Sequence, residues 1–347
     1  SSKRWILDTE NPETLSEQEK YGLGFHVGKF FDKVLDIKKC HLQEEPCNAI
    51  RLFIKKYALD NGLSFYDIRN NEGFLRNMFV RTTEDGQVML ILIFGYDDAK
   101  VRKAMLDAIK EEFPQITSLY YVINTKLNDS INDQDCILYS GVDAIYEKME
   151  NLRFRIGPKS FYQTNSRQAY ELYKHTRRFA GLETVADGEP EQLPLVYDLY
   201  TGTGTIANFV ARQCKKVVGI EYVPEAIEDA KVNSQINNIT NTEFFAGDMK
   251  DVLTADFIAK HGRPDVMIVD PPRAGMHPDV VKTILDAAPA RIVYVSCNSA
   301  TQARDLQMMA HAYRVVSLRA VDMFPQTHHV ESVVELELIP ESERTQE

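Results

Sequence analysis

The sequence predicts an α/β protein in two parts: a doubly wound, Rossmann-like domain over residues 156–347 on a seven-stranded, mainly parallel sheet, preceded by an α+β domain over residues 1–155. Three observations carry this. From about residue 193, apolar runs (LPLVYDLY, KVVGIEY, TEFFAGD, PDVMIVD, RIVYVS and a final pair ending SVVELELI) are each followed by a turn and a helical segment. Runs without polar alternation suit strands buried on both faces, which needs helices above and below a parallel sheet. Before that point the period changes, with alternating strands in GFHVGKFFDKVLDI, FLRNMFVRTT and QVMLILIFGY. Finally, 347 residues exceed the ~100 to 200 of one typical domain.

In the first part, CNAIRLFIKKYALDNG and DDAKVRKAMLDAIKEEF space apolar residues three and four apart and read as helices between antiparallel strands. SRQAYELYKHTRRFAG then reads as a helix, and ADGEPEQ (186–192) as a polar linker before the first buried strand.

Composition excludes several classes. With 44% hydrophobic and 26% charged residues the chain has the balance of a globular protein, and no apolar run approaches the ~18 residues of a membrane span. The opening residues carry neither an initiator Met nor a targeting signal and read as the start of a piece cut from a longer chain. Five scattered cysteines without a C-x-x-C pair suit a reducing cytoplasm and exclude a complete metal or iron–sulfur site within the chain. The net charge of −11 is the opposite of a nucleic-acid binder's usual footprint, so any RNA surface must be a local basic patch on an acidic body. Lys29, Phe30, Phe31, Lys33, Lys38, Lys39, Arg76 and Arg81 are the candidates for it, the alternative being a solvated strand face.

The chemistry-bearing motifs fall at predicted strand ends. Asp198-Leu199-Tyr200-Thr201-Gly202-Thr203-Gly204-Thr205 follows the first run, where glycines let backbone approach a ligand. Glu221 ends the second run, about 20 residues on, where a carboxylate can accept from ribose hydroxyls. Asp248 ends the third and can meet an adenine amino group; for either acid alone, a helix N-cap is the alternative. Acids at three strand ends without the third glycine of a dinucleotide fingerprint fit a class I methyltransferase better than a dehydrogenase.

Asp270-Pro271-Pro272-Arg273 closes the fourth strand with a rigid turn that lacks amide donors, or is simply a proline stop. Cys297, in Ser296-Cys297-Asn298, ends the fifth. A thiolate there could add to carbon 6 of a uracil and make carbon 5 nucleophilic, whereas an isolated strand-end Cys is otherwise a small buried hydrophobe. Methylation leaves a proton on carbon 5 that a base must remove, and Glu331, ahead of the last strand, is the candidate. Its alternative is a solvated acid at a strand start.

Taken in order, FYQTN, DLYTGTGTI, GIEYVPEAIEDAK, DPPRAG, VSCNSAT and FPQTHHVES closely resemble the RNA uracil-5 methyltransferase family over residues 150–338. The resemblance implies Cys297 as nucleophile and Glu331 as base. It also implies S-adenosylmethionine as cofactor, with Gln163, Tyr200, Gly202, Thr205, Glu221, Asp248 and Asp270 at it. The chain departs from the family in Thr205, where an Asn is usual, and in Gln326, where a His is common. Cys40 resembles the last of four cysteines that hold a [4Fe-4S] cluster in the ribosomal-RNA branch, so a cluster is expected only in a full-length protein, and ribosomal RNA is favoured over transfer RNA. Neither a membrane nor an obligate protein partner is expected. The competing readings are a transfer-RNA enzyme, a class I methyltransferase acting on an amino group, and a non-catalytic RNA-binding module.

Overall fold

The computed structural model of the chain describes residues 2–7, 10–183 and 193–344; the linker read at 186–192 lies outside them. It divides into two compact units, Ser1–Tyr146 with Ile156–Lys159, and Glu147–Arg155 with Ser160–Glu347. Sequence reading puts the change at residue 155, whereas residues 147–155, most of a two-stranded hairpin, group with the second unit.

The first unit holds strands β1 (Ser2–Arg4), β2 (Tyr21–Gly22), β3 (Phe25–Val27) and β4 (Phe30–Leu35), then helix α1 (Cys47–Asp60), β5 (Leu75–Thr82), β6 (Val88–Phe94), α2 (Ala99–Glu112), β7 (Ser118–Ile123) and β8 (Ile137–Gly141). They form two four-stranded sheets, ordered β2-β1-β4-β3 and β5-β6-β7-β8. Helix α1 buries Ile50, Ile54 and Ala58, one residue per turn, and α2 starts where Asp98 accepts from the amides of Lys100 and Val101. The expectation of purely antiparallel strands needs correction: β6 and β7 are parallel, as are β1 and β4. The reason for the first pair is the crossover through α2, and all seven residues of β6 are buried as parallel pairing requires.

The hairpin β9 (Ile145–Met149) and β10 (Leu152–Ile156) leads to α3 (Ser166–Phe179). The second unit continues with β11 (Leu195–Leu199), α4 (Thr205–Val210), β12 (Lys216–Glu221), α5 (Pro224–Ile236), β13 (Thr242–Ala246), α6 (Met249–Val252) and α7 (Ala255–His261). After these come β14 (Val266–Val269), α8 (Pro278–Ala287), β15 (Arg291–Ser296), α9 (Ser299–Met309), β16 (Tyr313–Val321) and β17 (Glu331–Leu338). Its seven strands run β13-β12-β11-β14-β15-β17-β16, the first five parallel and β17 antiparallel to both neighbours. This is the doubly wound α/β domain that the strand–helix alternation predicts, with seven strands.

Alternate strand residues feed opposite faces. Val196, Ile268 and Val293 join the core beneath α3 and α4, while Tyr197, Met267 and Ile292 join the one beneath α8 and α9. Thus the strands must be apolar throughout, since both faces are covered. The exception is β13, expected to be equally buried, whose residues are all at least partly exposed. It is one of the sheet's two edge strands, with a single neighbour to shield it, and β16 at the other edge is likewise mostly exposed.

Candidate active site

Five parallel strands deliver their carboxyl ends to one edge of the sheet, and antiparallel β17 begins at the same edge. Every strand-end residue singled out in the sequence therefore lies along that edge, where doubly wound folds bind ligands.

The turn after β11 is shaped by three left-handed residues, Tyr200 (φ 65°), Gly202 (φ 54°) and Gly204 (φ 72°). For Tyr200 this costs about 1–2 kcal/mol, because its Cβ crowds the backbone. A side chain on Gly204 would approach the Ala230 Cβ to 2.8 Å, whereas one on Gly202 would meet nothing within 4 Å. The Gly202 amide donates to Glu221 Oε2 at 3.1 Å, and the Val223 amide to Glu221 Oε1 at 3.0 Å. A carboxylate has about four acceptor sites, so each Glu221 oxygen retains one for a ligand hydroxyl.

Asp248 lies two residues beyond β13 rather than ending it, and caps α6 by accepting from the Lys250 amide at 3.2 Å. Its capping role is real, and its side chain is also 41% exposed. Burial, with the charges of Asp305, Asp248 and Glu221 added to it, pushes the Tyr200 hydroxyl up to about 12. Thr205 is the first residue of α4 and is buried, with its hydroxyl 3.3 Å from that of Thr203. Gln163 is half-buried two residues ahead of Asn165, the residue that caps α3.

A second group gathers at β14, β15 and β17. Ser296 pairs with Ser332 in the antiparallel ladder, so the next step of the same register sets Cys297 opposite Glu331. Burial and the Glu331 charge raise the Cys297 thiol; the Arg273 guanidinium pulls the other way, and Asp270 adds an upward push. Burial also raises Glu331, opposed by Arg273. For Asp270, burial together with the charges of Glu331 and Asp198 lifts the carboxyl to about 8, although part of its surface is open. Asp198, buried at the end of β11 and holding the Thr201 hydroxyl at 2.5 Å, is lifted by burial to about 7. Site electrostatics thus favour protons on the acids while leaving Arg273 as the nearby cation.

Sequence reading missed two exposed rings on this unit, Phe161 (71%) and Tyr222 (69%). The first precedes Gln163 and the second follows Glu221, and the signal available was an aromatic neighbour to each. It also missed the set of contacts from α9 to the Pro-Pro turn.

In the first unit the proposed RNA patch loses a member. Arg76 is 2% exposed and donates to the carbonyls of Asn124, Lys126 and Asn128 and to Asp129, over the Tyr66 ring at 4.4 Å. It holds a loop rather than facing solvent. Phe30 and Phe31 are exposed, the latter under the Arg69 guanidinium. Cys40 is half-buried with its backbone bonded to the Asn48 amide group, and Cys47 is buried, its thiol pushed up to about 11. Among the described residues no group of three or more His, Cys, Asp or Glu could hold a metal, so the residues present do not fit an iron–sulfur cluster. No described helix is long and apolar enough to cross a membrane.

Comparison with known proteins agrees with this geometry. The model of the tRNA (Uracil-5-)-methyltransferase family matches residues 143–339. An uncharacterized RNA methyltransferase of Porphyromonas gingivalis is 59% identical over 96% of this chain and 72% of its own length. One from Chlorobaculum tepidum is 38% identical over 96% of this chain and 68% of its own. The crystal structure of Pyrococcus abyssi tRNA (uracil-54, C5)-methyltransferase in complex with S-adenosyl-L-homocysteine superimposes with a TM-score of 0.71 at 31% identity, covering 88% of this chain and 70% of that one. The open space at Gly202 beside a carboxylate that retains acceptor sites suits such a ligand. The chain belongs to the tRNA (uracil-5-)-methyltransferase family and is an S-adenosylmethionine-dependent RNA uracil-5 methyltransferase.

Proposed function

We propose that this enzyme methylates a uridine of ribosomal RNA by a covalent route in which Cys297 is the nucleophile and Glu331 the base. The observation that supports the route is the β15–β17 ladder, whose last pair is Ser296 with Ser332, so that Cys297 follows one strand and Glu331 begins the other at the same edge. S-adenosylmethionine supplies an electrophilic methyl group, and Gln163, Tyr200, Gly202, Thr205, Glu221, Asp248 and Asp270 are the positions proposed to hold it.

Carbon 5 of uracil is a weak nucleophile until the sulfur adds to carbon 6 and turns the ring into an enolate. Because burial and Glu331 raise the Cys297 thiol, its proton must pass to solvent as the sulfur adds, and Arg273 has the task of stabilising the thiolate that forms. Asp270, with its carboxyl near 8, carries a proton at neutral pH and can donate to a uracil carbonyl oxygen on which negative charge collects. Once carbon 5 bears the methyl, Glu331 takes the remaining proton. The electrons of that C–H bond reform the 5,6 double bond, and the Cys297 sulfur leaves. A carboxylate raised by burial is a better proton acceptor than an exposed one, which suits this role. The uridine must leave its base stack to reach the thiol.

Ribosomal RNA rests on the resemblance of Cys40 to the last cluster cysteine of that branch. A transfer-RNA substrate is the second reading, favoured by the likeness to the P. abyssi enzyme. Offering 5-fluorouridine-substituted ribosomal and transfer RNA with the cofactor tests both at once, since fluorine cannot be abstracted as a proton. A stable adduct at Cys297 is expected with ribosomal RNA. An adduct only with transfer RNA overturns the substrate, and none with either overturns the covalent route.

A further inference from the structure

The helix that begins just after Cys297 carries a set of contacts that the reaction so far leaves unused. Asn298 caps α9 with its side-chain oxygen, accepting from the Ala300 amide at 3.1 Å, while its side-chain nitrogen donates to the Arg273 carbonyl at 3.0 Å. One turn on, the Thr301 hydroxyl lies 3.1 Å from the same carbonyl and 3.1 Å from that of Asn298, sharing its one proton between them. A further turn on, the Asp305 carboxylate is completely buried. It accepts from the Met276 amide at 2.8 Å, from the Tyr294 hydroxyl at 2.6 Å and from its neighbour Arg304. Arg304 in turn donates to the carbonyls of Ala274 and Met276. Gly275 (φ 78°) is the residue that permits this closeness, because a Cβ there would fall 2.7 Å from Asp305 Oδ2.

Two prolines leave residues 271 and 272 without amide donors, so the turn's own hydrogen bonding rests on the Gly275 amide, which donates to the Pro272 carbonyl at 2.8 Å, and α9 supplies the rest. Its fixed points come from α9, the same helix that anchors the nucleophile's turn. A buried carboxylate without satisfied partners costs several kcal/mol, and here donors from three segments meet it. The turn bearing Arg273 and the turn bearing Cys297 are therefore a single braced body.

We infer that Thr301 and Asp305, with Asn298, are positioning residues that hold the Arg273 guanidinium against the Cys297 thiol and so set the reactivity of the nucleophile. The inference rests on the reading of Cys297 as nucleophile. The charged groups facing that thiol are Glu331 from β17, Asp270 from the end of β14 and Arg273 from the turn beyond it. Of these only Arg273 favours the thiolate, so a loosened turn removes the favourable partner and leaves the two carboxyls.

The test measures the thiol without requiring turnover. Alkylation of the full chain by iodoacetamide, followed at the Cys297 peptide by mass spectrometry from neutral to alkaline pH, gives the ionisation midpoint directly. Arg273→Ala, Thr301→Val and Asp305→Asn should each move it upward, and each unit of rise slows alkylation at neutral pH about tenfold. Thr301→Ser, which keeps the hydroxyl, should restore the wild-type profile. An unchanged midpoint in Thr301→Val, with the variant folded by circular dichroism, overturns the inference. If Asp305→Asn fails to fold, the Thr301 pair decides alone. Adduct formation by the wild-type protein with 5-fluorouridine RNA separates the two claims. Its absence removes Cys297 from catalysis while the alkylation profile still judges the brace.

Discussion

At the scale of single residues, the proposed route gives a sulfur and a carboxylate separate tasks, and their removal should fail in different ways. Cys297→Ala should abolish methyl transfer while cofactor affinity, measured calorimetrically, stays within a few-fold; residual turnover would sink the covalent route. Glu331→Gln leaves addition and methylation possible but blocks proton removal. A methylated protein–RNA adduct should therefore accumulate on denaturing gels, and a variant that turns over normally would remove Glu331 from the role of base. Asp198 makes a stability prediction. Its carboxyl rises from the ordinary 3.8 to about 7 on folding because it is buried. Between those values the folded state keeps a proton that the unfolded state has lost, so stability should decline as pH rises through about 4 to 7. Asp198→Asn keeps the Thr201 contact and should flatten that decline in denaturant melts. A pH dependence like the wild type's would show that the aspartate is not buried uncharged.

At the scale of elements, the site is a set of strand ends made specific by the turns that follow them. The β11–α4 turn depends on Gly204, whose left-handed backbone and contact with Ala230 leave no room for a side chain. Gly204→Ala should lower stability by about 1–3 kcal/mol, from backbone strain plus the clash, and should weaken cofactor binding more than it slows the bound enzyme. Tight cofactor binding in that variant would argue that the turn does not cradle the ligand. Arg76→Ala in the first unit should cost about 2–4 kcal/mol in thermal or denaturant unfolding, since it takes the donor from the Asn124 and Lys126 carbonyls and empties the space under the loop. A loss of RNA affinity without loss of stability would return Arg76 to the RNA-facing patch.

At the scale of the whole molecule, sequence alone determined a good deal: the α/β class, the succession along the chain of the seven strands of the second unit, α1, α2 and α3, and the strand-end placement of Glu221, Asp270 and Cys297. Each follows from local rules, since both-face burial makes a strand apolar throughout and helical packing repeats every three to four residues, so periodicity reports them directly. The sequence could not say that β6 and β7 are parallel, that β13 is a half-exposed edge, or that Arg76 is buried. Those depend on which neighbour a segment meets, and a charged residue on a strand looks the same in a solvated face as under a loop. The opposition of Cys297 and Glu331 is of the same kind. The two residues belong to different elements, and only the antiparallel pairing of β15 with β17 brings the end of one strand and the start of the other to the same edge. The brace from α9 to the Pro-Pro turn was likewise hidden, because a buried aspartate and a cap asparagine carry no periodic signature. Motifs at strand ends showed which chemistry the chain carries; tertiary pairing decided which of those residues lie together, because contacts distant in sequence are chosen by packing and register rather than by local preference.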